Sequence, residues 1–231
     1  MTDPNPQPET ALVLGATGGI GAAITAELRA RGIQVTGLSR ADGLDWADPP
    51  RAEAALQAAG QSGPFGLVFD ATGALVIGDN RPEKSLKQID ARAMAEQFAV
   101  NALGPALLFK HHAALIPRRG SARIATLSAR VGSIGDNRLG GWISYRAAKA
   151  ALNQITRTAS IEIARYNPQA VCAALHPGTV RTGLSAAIIG ANAEGTLSAE
   201  DSAARLLNVL LSLTPAQSGG FFAYDGSPIP W

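Results

Sequence analysis

Short apolar runs of β type alternate along this chain with segments of helical periodicity. A chain patterned this way buries its strands as a parallel sheet with helices on both faces. Residues 11–14, 34–38, 65–70, 123–127, 170–176 and 220–224 read as strands. Between them, helices are expected over 19–31, 51–59, 144–166 and 198–213. A long helix is expected from Asp90, as N-cap, to Ile116, where Pro117 stops it. Ser198, with Asp201 three residues on, reads as a further cap. No repeat or linker divides the chain, so the expected architecture is one α/β domain over 11–231, a Rossmann-like doubly wound parallel sheet behind a loose tail at 1–10. Only six residues separate Leu38 from Asp45. That is too few for a parallel crossover, so any edge strand beyond 34–38 should be short, absent or irregular.

Composition narrows the function. The 231 residues are 46% hydrophobic, enough for a sizeable core. Twenty Lys and Arg stand against eighteen Asp and Glu, with no basic run longer than Arg118-Arg119, which argues against nucleic acid or an anionic membrane as main partner. No apolar run reaches the length of a membrane span. The one cysteine, Cys172, cannot form an internal disulfide and sits in an apolar run, as a buried residue of a protein from a reducing cytoplasm would. His111 and His112 are adjacent and therefore diverge on a helix. With His176 distant and no Cys cluster, no metal site is expected.

Three motifs carry chemistry. Gly15-Ala16-Thr17-Gly18-Gly19-Ile20-Gly21 follows the first strand and opens a helix. Its glycines allow a tight turn and close backbone approach, so amides and a helix N-terminus can receive a pyrophosphate. The second strand ends in Ser39-Arg40 instead of an acidic residue. A carboxylate there would bind a ribose 2′-hydroxyl, whereas a guanidinium grips a 2′-phosphate, so NADP(H) is expected over NAD(H). Tyr145-Arg146-Ala147-Ala148-Lys149 sets a phenol and an ammonium four residues apart, on one face of a helix. The ammonium should lower the phenol's pKa from about 10 toward a useful range.

Taken in order, these motifs resemble the short-chain dehydrogenase/reductase family over nearly the whole chain. Gly15, Gly19 and Gly21 match its cofactor glycines, with Thr17, Gly18 and Ile20 between them. Asp45 stands where a family Asp bonds the adenine amino group, and Asp70-Ala71-Thr72-Gly73 replaces the usual Asn-Asn-Ala-Gly. Asn101 matches the active-site Asn, which orders a proton-relay water. Tyr145 and Lys149 match the catalytic pair, and His176-Pro177-Gly178-Thr179-Val180-Arg181-Thr182 the Pro-Gly motif on the nicotinamide side. Val131-Gly132-Ser133-Ile134, residues 136–145 and the ending Tyr224-Asp225-Gly226-Ser227-Pro228-Ile229-Pro230-Trp231 resemble the C-factor and sniffer-like carbonyl reductase branch. The resemblance implies hydride transfer between the nicotinamide and a small carbonyl or alcohol, in a homodimer or homotetramer. It also allows a second role, dinucleotide-dependent signalling or redox sensing with little catalysis.

The chain departs from the family at one position. Anchored on Gly132, the serine that polarises the substrate oxygen is replaced by Ala129. Ser128 or Ser133 could supply the hydroxyl from a shifted loop, with Ser128 preferred. Residues 183–197, apolar and glycine-containing, read as a lid over substrate, and Ile188-Ile189 within it suggests an apolar aldehyde, ketone or quinone.

Overall fold

A computed structural model describes residues 7–181 and 195–231. Its strands are β1 (Thr10–Leu14), β2 (Gln34–Leu38), β3 (Leu67–Asp70), β4 (Ala122–Leu127), β5 (Ala170–His176) and β6 (Gly220–Ala223). The helices are α1 (Gly19–Ala30), α2 (Pro49–Gly60), α3 (Ala91–Phe98), α4 (Gly104–Lys110), α5 (His112–Leu115), α6 (Ile143–Tyr166) and α7 (Ala199–Ser212). Every strand pairing is parallel, in the order β2-β1-β3-β4-β5-β6. The winding reverses between β1 and β3, which opens a crevice at the carboxyl ends of the strands.

Period-two alternation distributes the central strands between two cores. Ala11, Val13, Leu67, Phe69 and Val171 meet Ile24 and Leu28 of α1 and Leu206 and Leu210 of α7. Leu12, Leu14, Val68, Ile124 and Cys172 meet Leu56 of α2, Leu108 of α4 and Ile163 of α6 on the opposite face. Strands covered on both sides need no polar face, which is why they read as continuous apolar runs. Cys172 is fully buried, and that burial pushes its thiol well above the ordinary range.

Among the described residues β2 is the sheet edge: the chain leaves Leu38 through a single 3-10 turn at Arg40–Asp42, with no strand beyond. Asp48 then caps α2, its carboxylate accepting from Arg51 N. The caps expected at Asp90 and Ser198 form as well, accepting from Ala93 N and Asp201 N respectively.

Two expectations change. The helix expected over 90–116 is three helices joined by a π turn at Ala99–Leu103 and a break at His111. Pro105 has no amide to donate to the carbonyl four residues back, that of Asn101, and the turn widens there. Glu9 and Thr10, expected within the tail, join the sheet instead: Glu9 O accepts from Gln34 N and Thr10 pairs with Gln34, while residues 1–6 lie outside the described residues.

Candidate active site

The turn after β1 is built for close approach. Gly15 sits at φ 73°, and its amide and that of Ala16 both donate to Leu38 O, at 2.8 and 3.1 Å. A side chain on Gly21 would place its Cβ 2.1 Å from Gly15 O, so only glycine lets α1 start this near the turn. Gly18, the N-cap, brings no capping side chain, and Thr17, Gly18 and Gly19 are exposed, with Ile20 half-buried. The first-turn amides and the positive end of the helix therefore face outward, as a cradle for a pyrophosphate requires.

At the end of β2, Arg40 is exposed while Ser39 is buried. Ser39 is already engaged: its amide and hydroxyl both donate to Asp42 Oδ2, at 2.9 and 2.7 Å. A 2′-phosphate seeking the Ser39 hydroxyl would compete with this carboxylate. Asp42 escaped the sequence reading because its link to Ser39 depends on the 3-10 turn.

β3 delivers Asp70, Ala71, Thr72 and Gly73. Ala71 N donates to Leu14 O, tying this loop to the glycine turn. Asp70 is buried, and its Oδ1 accepts from Thr72 N and Thr72 Oγ1, at 2.9 and 2.5 Å. Thr72 Oγ1 accepts in turn from Trp46 Nε1 at 3.0 Å. Asp45, beside Trp46 and half-buried, accepts from Ala47 N. Burial raises the Asp70 carboxyl above its usual range, against the hydrogen bonds from Thr72 and the charge of Lys149.

Asn101 lies in the π turn and is wholly buried. Its Oδ1 accepts from Ala74 N at 3.1 Å, and Nδ2 donates to Ala74 O at 2.8 Å and to Gln97 Oε1 at 2.8 Å. The wider turn aims the side chain at the loop after β3, where an unbroken α-helix would carry it round.

Tyr145 and Lys149 share one face of α6, with Lys149 Nζ 5.8 Å from the Tyr145 ring centroid. Lys149 is buried and donates to Leu127 O at 2.8 Å. Gly73 marks where the groups converge: a Cβ on it would lie 3.0 Å from Asn101 Oδ1 and 3.2 Å from Lys149 Nζ. Desolvation pulls Lys149 down to about 8, partly countered by the charge of Asp70. The expected lowering of the Tyr145 pKa is not what the folded chain shows. Burial pushes the half-buried Tyr145 above its ordinary value, because losing water disfavours the phenolate.

At the unusual serine motif, Ala129 is half-buried and Ser128 is buried, donating to Asn153 Oδ1 at 2.6 Å. Asn153 is four residues beyond Lys149, on the same helix face, a spacing visible in the sequence. Ser133 is buried too and accepts from Asp136 N at 3.1 Å.

β5 ends at His176, whose Nδ1 has no partner among the described residues and which burial lowers to about 4, so it is neutral at ordinary pH. Pro177, Gly178, Thr179 and Val180 follow, and Ser202 of α7 donates to Pro177 O at 2.8 Å. Leu197 N donates to Thr179 O, closing the far side of the loop. Thr182 and all of the expected lid except 195–197 lie outside the described residues. A separate cavity of about 660 Å3, lined by Glu83, Ser133, Ile134, Arg146 and Ala150, flanks α6 but omits Tyr145, Lys149 and Asn101.

A doubly wound sheet with a glycine cradle and a Tyr–Lys pair at its carboxyl edge defines a nicotinamide-dinucleotide oxidoreductase. The profile of the family described as short chain dehydrogenase matches residues 9–192, and the chain belongs to that family. It is 37% identical to the C-signal protein of Myxococcus xanthus over 151 residues, 64% of this chain and 84% of that one. It is 29% identical to 1-hydroxy-2-glutathionyl-2-methyl-3-butene dehydrogenase of Rhodococcus sp. strain AD45, over 96% of this chain and 99% of that one. Among solved structures, NADPH-bound carbonyl reductase from chicken fatty liver superposes with TM-score 0.82 at 25% identity, covering 96% of this chain and 94% of that one. A short-chain dehydrogenase/reductase of Burkholderia multivorans with bound NADP gives TM-score 0.76 at 26% identity, covering 97% and 100%. The Drosophila melanogaster carbonyl reductase Sniffer shares the fold, with TM-score 0.75 at 20% identity, covering 97% and 100%.

Proposed function

We propose that this oxidoreductase reduces the carbonyl of a small, apolar aldehyde, ketone or quinone with NADPH, or oxidises the matching alcohol. The observation that carries the reading is the convergence of Tyr145, Lys149, Asn101 and Gly73. The cradle fits a pyrophosphate, with Gly15, Thr17, Gly18, Gly19, Ile20 and Gly21 beneath it. Ser39, Arg40 and Asp45 hold the adenosine end, while Ala71, Thr72, Gly73, Pro177, Gly178, Thr179 and Val180 border the other. When bound, NADPH supplies the hydride.

Tyr145 donates its phenolic proton to the oxygen of the carbonyl as that oxygen gains charge. A phenol held above its ordinary pKa rests in the protonated form, as reduction requires. Lys149 holds the ribose hydroxyls and offers its positive charge to the phenolate that remains. Asn101, locked to Ala74 and Gln97, fixes the backbone of the π turn, where a water could return the proton. Ser128 supplies the hydroxyl that polarises the carbonyl once it turns from Asn153, with Ser133 the alternative.

NADPH-bound and NADP-bound relatives support the choice of cofactor. A reducing cytoplasm and a homodimer or homotetramer complete the reading. Among the described residues, no helix is long and apolar enough to cross a membrane. The deciding experiment is NADPH oxidation with a panel of aldehydes, ketones and quinones. Wild type should turn over at least one, and Tyr145→Phe should lose about a thousandfold in kcat while binding NADPH nearly as well. Equal turnover by Tyr145→Phe would sink the mechanism.

A second reading is a dinucleotide-binding signalling protein with little catalysis. Ala129 and the 37% identity to C-signal favour it. NADPH binding without turnover of any panel member would select it.

A further inference from the structure

The loop that leads into α6 arrives in a conformation it does not hold by itself. Gly140, Gly141 and Trp142 have φ of 64°, 67° and 53°, three successive residues in the left-handed region. Trp142 is the N-cap of α6 and offers no capping side chain. A bulky residue there persists only where surrounding contacts hold it.

Those contacts come from Glu83, about sixty residues earlier. Glu83 O accepts from Trp142 N. The buried Glu83 carboxylate accepts from Ser144 N at 3.3 Å through Oε2, and from the Ser144 hydroxyl through Oε1. It thus occupies the place of the missing cap, where a negative charge also complements the helix dipole. From the other side Arg146 donates to Gly141 O, Gly140 O and Val131 O, at 2.9, 3.1 and 3.2 Å. Between Ser144 and Arg146 stands Tyr145, its ring edge-on to Trp142 with centroids 6.5 Å apart.

We propose that Glu83 is a positioning residue for Tyr145, fixing the first turn of α6 through Ser144 and Trp142 so that the phenol stays at the mouth of the nucleotide cradle. Nothing in the glycine, Tyr–Lys or Pro-Gly motifs assigns Glu83 this part. Its catalytic consequence rests on the proposed role of Tyr145, but its structural content does not. A loosened first turn moves the phenol without touching the glycine cradle, so kcat should suffer and the KM for NADPH should not.

The test uses the full chain labelled with 3-fluorotyrosine. The chain has three tyrosines, and the fluorine signal missing from Tyr145→Phe identifies Tyr145. Glu83→Ala should shift or broaden that signal and leave the other two in place. Ser144→Ala should do the same, and the double variant should add little. Glu83→Gln, which keeps one acceptor for the Ser144 hydroxyl, should fall between wild type and Glu83→Ala. With 4-nitrobenzaldehyde and NADPH, Glu83→Ala should lose about a hundredfold in kcat with the KM for NADPH within about twofold. An unmoved Tyr145 signal in Glu83→Ala overturns the proposal. If Glu83→Ala disturbs all three signals, Ser144→Ala decides, and an unmoved Tyr145 signal there overturns it equally. A moved signal in a wild-type background that turns over no carbonyl leaves the positioning role standing and removes the proposed reaction instead.

Discussion

Lys149 Nζ lies 5.8 Å from the centroid of the Tyr145 ring and 2.8 Å from Leu127 O, so the ammonium is held by a β4 carbonyl while it faces the phenol. Burial works on the two groups in opposite senses, raising Tyr145 and lowering Lys149 to about 8. Both shifts favour the neutral form. At neutral pH this leaves a protonated phenol beside an ammonium still mostly charged, a combination suited to giving up a proton.

Lys149 should set the alkaline limit of cofactor binding. Its charged form is present below about 8 and is lost as pH rises through that value, earlier than an exposed lysine would lose it. NADPH affinity of the free protein, measured by fluorescence across pH 6–10, should therefore weaken above about 8. Lys149→Met should bind weakly and without this break. Asp70→Asn removes the charge that raises Lys149, so the break should move to lower pH; a break left in place would refute the coupling.

Gly21→Ala should damage the cradle itself. A Cβ 2.1 Å from Gly15 O cannot be relieved by turning a side chain, since the obstructing atom is backbone. The variant should lose about 1–3 kcal/mol of stability by denaturant unfolding. It should also bind NADPH at least tenfold more weakly, as the helix start backs away from the turn.

Arg40 and Asp42 should pull cofactor preference in opposite directions. Arg40→Ala should lower kcat/KM for NADPH by about tenfold or more, the worth of a charge-assisted contact to phosphate, and leave NADH nearly unchanged. Asp42→Ala frees the Ser39 hydroxyl and removes a carboxylate from the same corner, so the NADPH-to-NADH ratio should rise. A wild type that prefers NADH would contradict the proposed cofactor.

Ser128→Ala and Ser133→Ala, assayed separately, should identify the hydroxyl that replaces the family serine at Ala129. Loss of a donor to the reacting oxygen costs about a hundredfold to a thousandfold in kcat. Ser128→Ala is expected to show it. The loss falling on Ser133→Ala would move the role there, and no loss in either would mean that Tyr145 acts without this help.

What could be read from the sequence was local. The six strands at 10–14, 34–38, 67–70, 122–127, 170–176 and 220–223 and the caps at Asp90, Asp48 and Ser198 follow from residues within a few positions of one another. Asp48 nonetheless went unread, though Pro49-Pro50 marked the helix it caps. The pairing of Tyr145 with Lys149 was legible for the same reason, since four residues on a helix fix a shared face. The π turn was not, because Pro105 shows that the ladder must break without showing how the backbone will accommodate it.

The sequence by itself determined the doubly wound sheet, the glycine cradle and the Tyr–Lys face, all set by periodicity and short-range sterics. Only the tertiary structure decided the electrostatics: how deeply Tyr145 and Lys149 are buried depends on β3, β4 and the π turn meeting around them. It also decided that Asp42 engages Ser39, that Ser128 turns to Asn153, and that Glu83 grips the start of α6. A residue about sixty positions away has no local signature, and its contact exists only once the chain has packed.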